Sequence, residues 1–267
     1  MLKFTKMNGA GNDFVMLDNL DGRLALAPGQ IASLCDRHRG VGADGVLIVE
    51  RPANGADFRM RYYNADGGEA EMCGNGARCF ARFASRIRGR DGALSFETPA
   101  GVIRAECAGD NVRLAMSEPR DLVLDQPIEA AGQSIAVHSV NTGVPHAIVF
   151  VDDLERTAVR PLGAALRYHP HFAPRGTNAN FVQIEGPSAV AIRTYERGVE
   201  DETLACGTGV VAAALMLHET RGAASPVSVR VRGGDTLFVS FEKEAGQYRN
   251  VTLTGPADFV FEGQIGI

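Results

Sequence analysis

The chain has 267 residues, is 45% hydrophobic and 22% charged, and carries a formal net charge of −5. That length and apolar content suffice for two cores, and the acidic balance excludes nucleic acid or an anionic membrane as the main partner. Its five cysteines (Cys35, Cys73, Cys79, Cys107 and Cys206) are an odd number without CxxC spacing, which excludes a disulfide framework and a structural zinc site. The opening residues lack the apolar core of a secretory signal, and the longest apolar run, Val210 to Leu217, is too short for a membrane span. A cytoplasmic location without membrane contact is expected.

Taken in chain order, a helix is predicted in PGQIASLCDR from Pro28. An alternating strand, FRMRYYN, then runs into the polar loop ADGGEAEM, followed by Cys73 and a helix-forming stretch. Arg78, Arg82 and Arg86 recur every four residues along that helix and read as a solvated or salt-bridged face. A strand, NVRLAM, gives way to the charged, proline-bearing MSEPRD at 116–121, the expected crossover between domains. The elements then return: NTGVPHAIVF, PLGAALRYH, the strand AIRTYER, the polar loop GVEDETLA, Cys206 and the helix VVAAALMLHE, whose apolar residues cover every face and predict a fully buried helix. An offset of 133 maps Asn8 to Asn141, Pro28 to Pro161, Gly45 to Asn178, Tyr62 to Tyr195, Asn64 to Arg197, Glu69 to Glu202, Cys73 to Cys206 and Gly76 to Gly209. A constant offset over many elements reads as duplication of one fold unit. Two domains follow, 1–117 and 118–255.

Each member of the Cys73/Cys206 pair falls at a helix start beside glycine. Unpaired backbone N–H groups and the positive end of the helix dipole favour a thiolate there and can also hold a carboxylate. Cys35, Cys79 and Cys107 lie in apolar patterns and read as small core residues. Two copies related by a pseudo-two-fold axis would oppose two thiols. That arrangement suits inversion of a carbon stereocentre, one group removing a proton from one face and the other returning a proton to the opposite face.

The motifs NGAGNDF, RGVGADG, MCGNGAR, NTGVPH, RGTNANF, YERGVEDET and ACGTG, in this order over essentially the whole chain, resemble the diaminopimelate epimerases. The resemblance implies an α+β fold of two pseudo-two-fold-related domains, each a mixed β-sheet wrapped around a central helix, with the C-terminal strand, 256–267, completing the first half. It implies interconversion of LL- and meso-2,6-diaminopimelate without cofactor or metal, for lysine and peptidoglycan precursors, by a homodimer. Carried over residue by residue, it makes Cys73 and Cys206 catalytic, and Gly74, Asn75, Gly207 and Thr208 backbone donors to the α-carboxylate. It makes Asn12, Asn64, Asn178, Glu196 and Arg197 substrate-binding, with Asn64, Asn178 and Arg197 near the distal amino-acid centre. His146 and Glu196 match positions that tune the cysteines.

The chain departs from the family pattern at Val144, often asparagine, and at Gly45, glutamine in one variant of the motif. Only Lys3, Lys6 and Lys243 could form a Schiff base, and none has the setting for pyridoxal phosphate. The alternatives are a proline racemase or hydroxyproline epimerase, which share the opposed cysteines but lack a second amino-acid centre in their substrates, and a thiol redox or binding protein.

Overall fold

The computed structural model describes residues 1–70 and 72–267. In chain order the elements are β1 (Leu2–Gly9), β2 (Asn12–Asp18), α1 (Pro28–Cys35), β3 (Gly45–Glu50), β4 (Phe58–Asn64), β5 (Glu69–Ala70), α2 (Gly74–Arg88), β6 (Gly92–Thr98), β7 (Gly101–Ala108) and β8 (Asn111–Ala115). They continue with β9 (Arg120–Ala130), β10 (Gln133–Asn141), β11 (Pro145–Phe150), α3 (Val159–Arg167), β12 (Asn178–Gly186), β13 (Ala189–Glu196) and β14 (Asp201–Thr203). Last come α4 (Gly207–Arg221), β15 (Val227–Arg230), β16 (Thr236–Glu244), β17 (Gln247–Pro256) and β18 (Asp258–Ile265). The chain forms two compact units, Met1–Leu114 with Thr254–Ile267, and Ala115–Leu253. Among the described residues no helix is long and apolar enough to cross a membrane.

In the first unit β1 pairs antiparallel with β2, β2 parallel with β3, β3 antiparallel with β4, and β4 parallel with β6, which continues antiparallel through β7 and β8. The second unit repeats this order: β10 with β11, β11 parallel with β12, β12 with β13, β13 parallel with β15, and β15 with β16. In the second copy β9 flanks β10; in the first, β18 takes the same place beside β1. The strand flanking the first copy thus comes from the far end of the chain.

Each mixed sheet wraps a central helix, α2 in the first unit and α4 in the second. In α4, Gly207 and every residue from Gly209 to Leu217 are buried, as the all-round apolar run predicts. Both helices stop at a left-handed glycine, Gly89 and Gly222, whose N–H caps the last turn. The opposite sheet faces carry α1 over Val15, Leu17, Val46 and Ile48, and α3 over Ala147, Ala179, Phe181 and Tyr195.

Of the two readings of the stripe of Arg78, Arg82 and Arg86, solvated or salt-bridged, the second holds for Arg82 and Arg86, and Arg78 is not solvated. Arg78 is fully buried, its Nε donating to the Pro256 carbonyl at 3.2 Å, and Arg82 donates to the Ala257 carbonyl and pairs with Asp110. Arg86 lies over the Phe259 ring at 4.1 Å, donates to Thr5 Oγ1 at 2.7 Å and pairs with Glu262 at 2.7 Å. The stripe clamps the returning C-terminal segment onto α2. Its partners in that segment, Pro256, Ala257, Phe259 and Glu262, lie more than 170 residues further along the chain, out of reach of any local pattern.

Strand register refines the internal repeat. Cys73 and Cys206 keep the offset of 133, as do β3 and β12, where Leu47 and Asn180 correspond. In β2 and β4 it falls to 132: Phe14 opposes Gly45 as His146 opposes Asn178, and Leu47 opposes Tyr62 as Asn180 opposes Thr194. Tyr63 therefore corresponds to Tyr195, and Asn64 to Glu196, correcting the uniform mapping of Tyr62 to Tyr195 and Asn64 to Arg197. A repeated ion pair marks the true register: Arg61 with Glu69 at 2.9 Å, Arg193 with Glu202 at 2.6 Å. The polar loop after β13 holds one more residue than the loop after β4, which restores the offset before the helices.

Candidate active site

Both cysteines occupy the N-cap of a central helix. Cys73 has extended backbone (φ −136°, ψ 125°), its carbonyl accepts from the Ala77 N–H at 2.7 Å, and its Sγ accepts from the Gly76 N–H at 3.5 Å. Cys206 repeats the geometry (φ −122°, ψ 107°): its carbonyl accepts from the Val210 N–H at 2.9 Å, and its Sγ lies 3.6 Å from Thr208 Oγ1. Cysteine is a weak capping residue compared with serine, threonine, aspartate or asparagine. Its use at both starts trades local stability for a thiol beside amide donors. The other cysteines behave as core residues: burial pushes the Cys35 thiol up to about 11 and the Cys79 thiol up to about 12, and raises that of Cys107.

In the first unit Asn75 Nδ2 donates to Asn12 Oδ1 at 2.6 Å, and Arg78 Nη2 to Asn75 Oδ1 at 2.9 Å. Asn12 Nδ2 in turn donates to Asp44 Oδ2 at 2.9 Å. Behind it stands a cluster that sequence reading missed. Asp13 takes both Arg37 N–H groups at 2.8 and 2.9 Å and Lys6 Nζ at 2.7 Å, and Arg37 also reaches Asp44 at 2.8 Å. Burial would raise the Asp13 carboxyl, but the Arg37 and Lys6 bonds hold it at about 2. These charges fix the β1–β2 hairpin, whose turn uses left-handed Ala10 and Gly11, so Asn12 is presented from a rigid base. Asn64 is exposed at the end of β4, directly opposite Gly45.

Gly45 has a steric reason to lack a side chain. A Cβ there would lie 2.5 Å from the Tyr63 carbonyl oxygen and 2.7 Å from Cε2 of Tyr62. The Tyr62 ring fills the place where the register mate, Asn178, carries its amide.

In the second unit Asn178 accepts the Arg197 backbone N–H on Oδ1 at 2.8 Å and donates to the Pro145 carbonyl at 3.3 Å. The Arg197 guanidinium reaches the Arg175 carbonyl at 3.3 Å. Glu196 accepts from Thr203 Oγ1 at 2.9 Å; burial raises its carboxyl, and that bond only partly opposes the rise. His146 is buried, and burial, helped by the Arg197 cation, lowers its imidazole to about 3. Asn180, absent from the sequence-based set, links His146 to the helix start. Its Nδ2 lies 3.1 Å from His146 Nδ1, and a Cβ on Gly209 would fall 2.4 Å from its Oδ1. The Thr208 carbonyl at the same helix start accepts from Thr142 Oγ1 at 2.9 Å. The readable signal for Asn180 was the pair of amides two apart in NANF, on one face of a strand whose other face is apolar.

Each unit thus gathers a cysteine, a glycine and a polar residue at a helix N-terminus, with amide side chains on the neighbouring strand ends. One such start can bind a carboxylate by its N–H groups while its thiol exchanges a proton.

Comparison with known proteins agrees in extent and order. The family model for diaminopimelate epimerase matches residues 4–122 and 138–260. The chain is 41% identical over 277 residues to the diaminopimelate epimerase of Aquifex aeolicus, covering 99% of this chain and 98% of that one. It is 43% identical over 263 residues to that of Chlorobaculum tepidum, covering 97% and 99%. In solved structures the fold is similar to that of a hydroxyproline epimerase from Agrobacterium vitis, at a TM-score of 0.70 and 18% identity over 98% of this chain and 91% of that chain.

Proposed function

The chain belongs to the diaminopimelate epimerase family, and on that premise we propose that it interconverts LL- and meso-2,6-diaminopimelate, with Cys73 and Cys206 as the two acid–base groups. The observation that carries the assignment of residues is the recurrence of a cysteine N-cap, followed by glycine, at the start of both buried central helices.

One cysteine, as thiolate, removes the α-hydrogen, and the other, as thiol, returns a proton to the opposite face; in the reverse direction they exchange roles. The reading requires both helix starts to address one α-carbon. Proton transfer of this kind contributes about 10²–10⁴-fold, short of the ~10⁶-fold or more that enzymes achieve. The remainder is assigned to charge stabilisation. As the α-carbon loses its proton, negative charge moves onto the α-carboxylate, where the N–H groups of Gly74, Asn75, Gly207 and Thr208 are preorganised donors. No electron sink beyond the carboxylate is required in this scheme, so the reaction proceeds without pyridoxal phosphate or metal.

Asn12, Asn64, Asn178, Glu196 and Arg197 hold the remaining groups. Arg197 pairs with a carboxylate, and the asparagines, each both donor and acceptor, orient ammonium and carboxylate together at the distal centre. His146 and Glu196 adjust the cysteines. The two compact units are the two halves of the duplicated enzyme, the first completed by the C-terminal strand. The enzyme works as a cytoplasmic homodimer supplying lysine and peptidoglycan precursors.

The test is incubation with LL-diaminopimelate in heavy water, free of metal and cofactor, following stereochemistry and α-deuterium by NMR and mass spectrometry. Meso product carrying solvent deuterium at the inverted carbon is expected. Exchange with proline or hydroxyproline instead would move the substrate to the related racemases, and exchange with none of them would overturn the enzyme assignment.

A further inference from the structure

The register places three side chains of each unit at equivalent positions behind the cysteine-bearing helix. In the first unit they are Phe14, Leu47 and Tyr62; in the second, His146, Asn180 and Thr194. The first set packs as apolar surface: a Cβ on Gly76 would meet Leu47 Cδ1 and Phe14 Cζ, each at 3.3 Å, and Phe14 and Tyr62 meet edge to face at 6.1 Å. The second set is a hydrogen-bonded chain in the same place. Polar side chains buried where the sister copy packs a leucine and two aromatic rings cost stability unless every group is matched.

All but one group is matched. Asn180, wholly buried, accepts from Thr194 Oγ1 at 2.9 Å on its oxygen, and its nitrogen donates to the carbonyls of Ala147 at 3.0 Å and Asn178 at 3.3 Å. Carbonyls only accept, so the amide nitrogen must be on their side, and the orientation of the carboxamide is fixed. That same nitrogen lies 3.1 Å from His146 Nδ1. A proton on Nδ1 would set two donors against each other. Nδ1 is therefore unprotonated, sharing one of the two amide N–H groups with a carbonyl, and the proton of the neutral ring sits on Nε2. Burial keeps the ring neutral, with its pKa near 3. The Nε2 atom is buried and has no hydrogen-bond partner among the described residues, and leaving such a donor unmatched costs about 1–3 kcal/mol.

We infer that Asn180 is a positioning residue that locks His146 as an Nε2–H donor, reserved for an anionic acceptor formed or bound at the Cys206 helix start, so that His146 donates a hydrogen bond and does not act as a base. The inference rests on the proposed reaction for the identity of the anion, which is either the Cys206 thiolate or a substrate carboxylate. The tautomer itself depends only on the geometry.

The deciding experiment is nitrogen NMR of the substrate-free protein labelled with 15N-histidine, with His146 assigned by its loss in His146→Gln. A pyridine-type Nδ1 and a pyrrole-type Nε2 near neutral pH are expected; the reverse tautomer, or an imidazolium, overturns the inference whether or not the protein epimerises diaminopimelate. Asn180→Asp, which offers Nδ1 an acceptor, is expected to turn Nδ1 pyrrole-type, and an unchanged Nδ1 in the folded variant overturns the role of Asn180. If that variant does not fold, the wild-type spectrum still decides the tautomer.

Activity supplies the second arm. Glutamine at 146 keeps an N–H donor but cannot be a base, so His146→Gln is expected within about tenfold of wild type, while His146→Ala loses about 10²–10³-fold in kcat or kcat/KM. Equal, severe loss in both variants overturns the donor role. The source of the anion is separated by alkylation. If it is the thiolate, the pH profile of Cys206 alkylation moves to higher pH in His146→Ala; if it is a substrate carboxylate, KM rises and alkylation is unmoved.

Discussion

The buried imidazole of His146 makes stability depend on pH in a window that can be calculated. Its ordinary value of 6.5 falls to about 3 in the folded protein, because burial disfavours the imidazolium and the Arg197 cation adds to the cost. Below pH 6.5 the unfolded chain takes up a proton that the folded protein refuses. This contribution to stability is therefore intact above 6.5 and is lost as pH falls toward 3. Each unit of difference is worth about 1.4 kcal/mol, so the loss is about 2 kcal/mol by about pH 5 and roughly 5 kcal/mol once pH reaches the folded value. The measurement is urea unfolding of wild type and His146→Gln at about pH 7.5 and about pH 5, comparing the loss of stability between the two conditions. His138, also lowered by burial, is the same in both proteins and cancels in the comparison. Wild type is expected to lose about 2 kcal/mol more than the variant. Equal losses would refute the claim that His146 is held neutral.

Cys73→Ala and Cys206→Ala should each abolish epimerisation, a fall of at least about 10²–10⁴-fold, while circular dichroism and unfolding midpoints stay close to wild type; near-normal turnover by either would overturn the two-base assignment. Gly209→Ala, whose Cβ would fall 2.4 Å from Asn180 Oδ1, should cost more stability than Gly76→Ala, whose nearest neighbours are side-chain tips at 3.3 Å. The former cost is on the order of 1–3 kcal/mol in urea titrations. Two-electron oxidation by diamide should join Cys73 to Cys206 and stop activity, and peptide mass mapping that finds both thiols intact in an inactive, oxidised sample would exclude this.

The cysteine pair was legible because its signal is local: a cysteine beside glycine, after a polar loop and before a helix-forming run, twice at one offset. The central helix α4 was legible for a similar reason, since eight apolar residues in succession leave no polar face. Register was not legible. A one-residue slip in β2 and β4 leaves the motifs aligned on either side, and only the ladder partners show that Asn64 stands for Glu196. The arginine stripe was legible only as far as its ion pairs, because a four-residue period states that three side chains share a helix face, not what covers that face. Here the cover is a strand from the opposite end of the chain.

The two copies agree where the reaction is symmetric and differ where the substrate is not. A base and an acid that exchange roles need equivalent surroundings for their reacting atoms, and both copies supply a helix N-cap with amide donors, features made by backbone and therefore tolerant of side-chain drift. In the proposed reaction the substrate's second amino-acid centre is not inverted, and nothing requires the two copies to contribute to it equally. The side chains around the helix starts have accordingly diverged: Gly45 under the Tyr62 ring against Asn178, and Phe14, Leu47 and Tyr62 against His146, Asn180 and Thr194. Interchanging whole sets between copies should therefore damage distal binding and the His146 donor while leaving both helix caps intact. Such an exchange would appear first in KM and in the histidine spectrum, and a variant that kept both unchanged would show the divergence to be neutral drift.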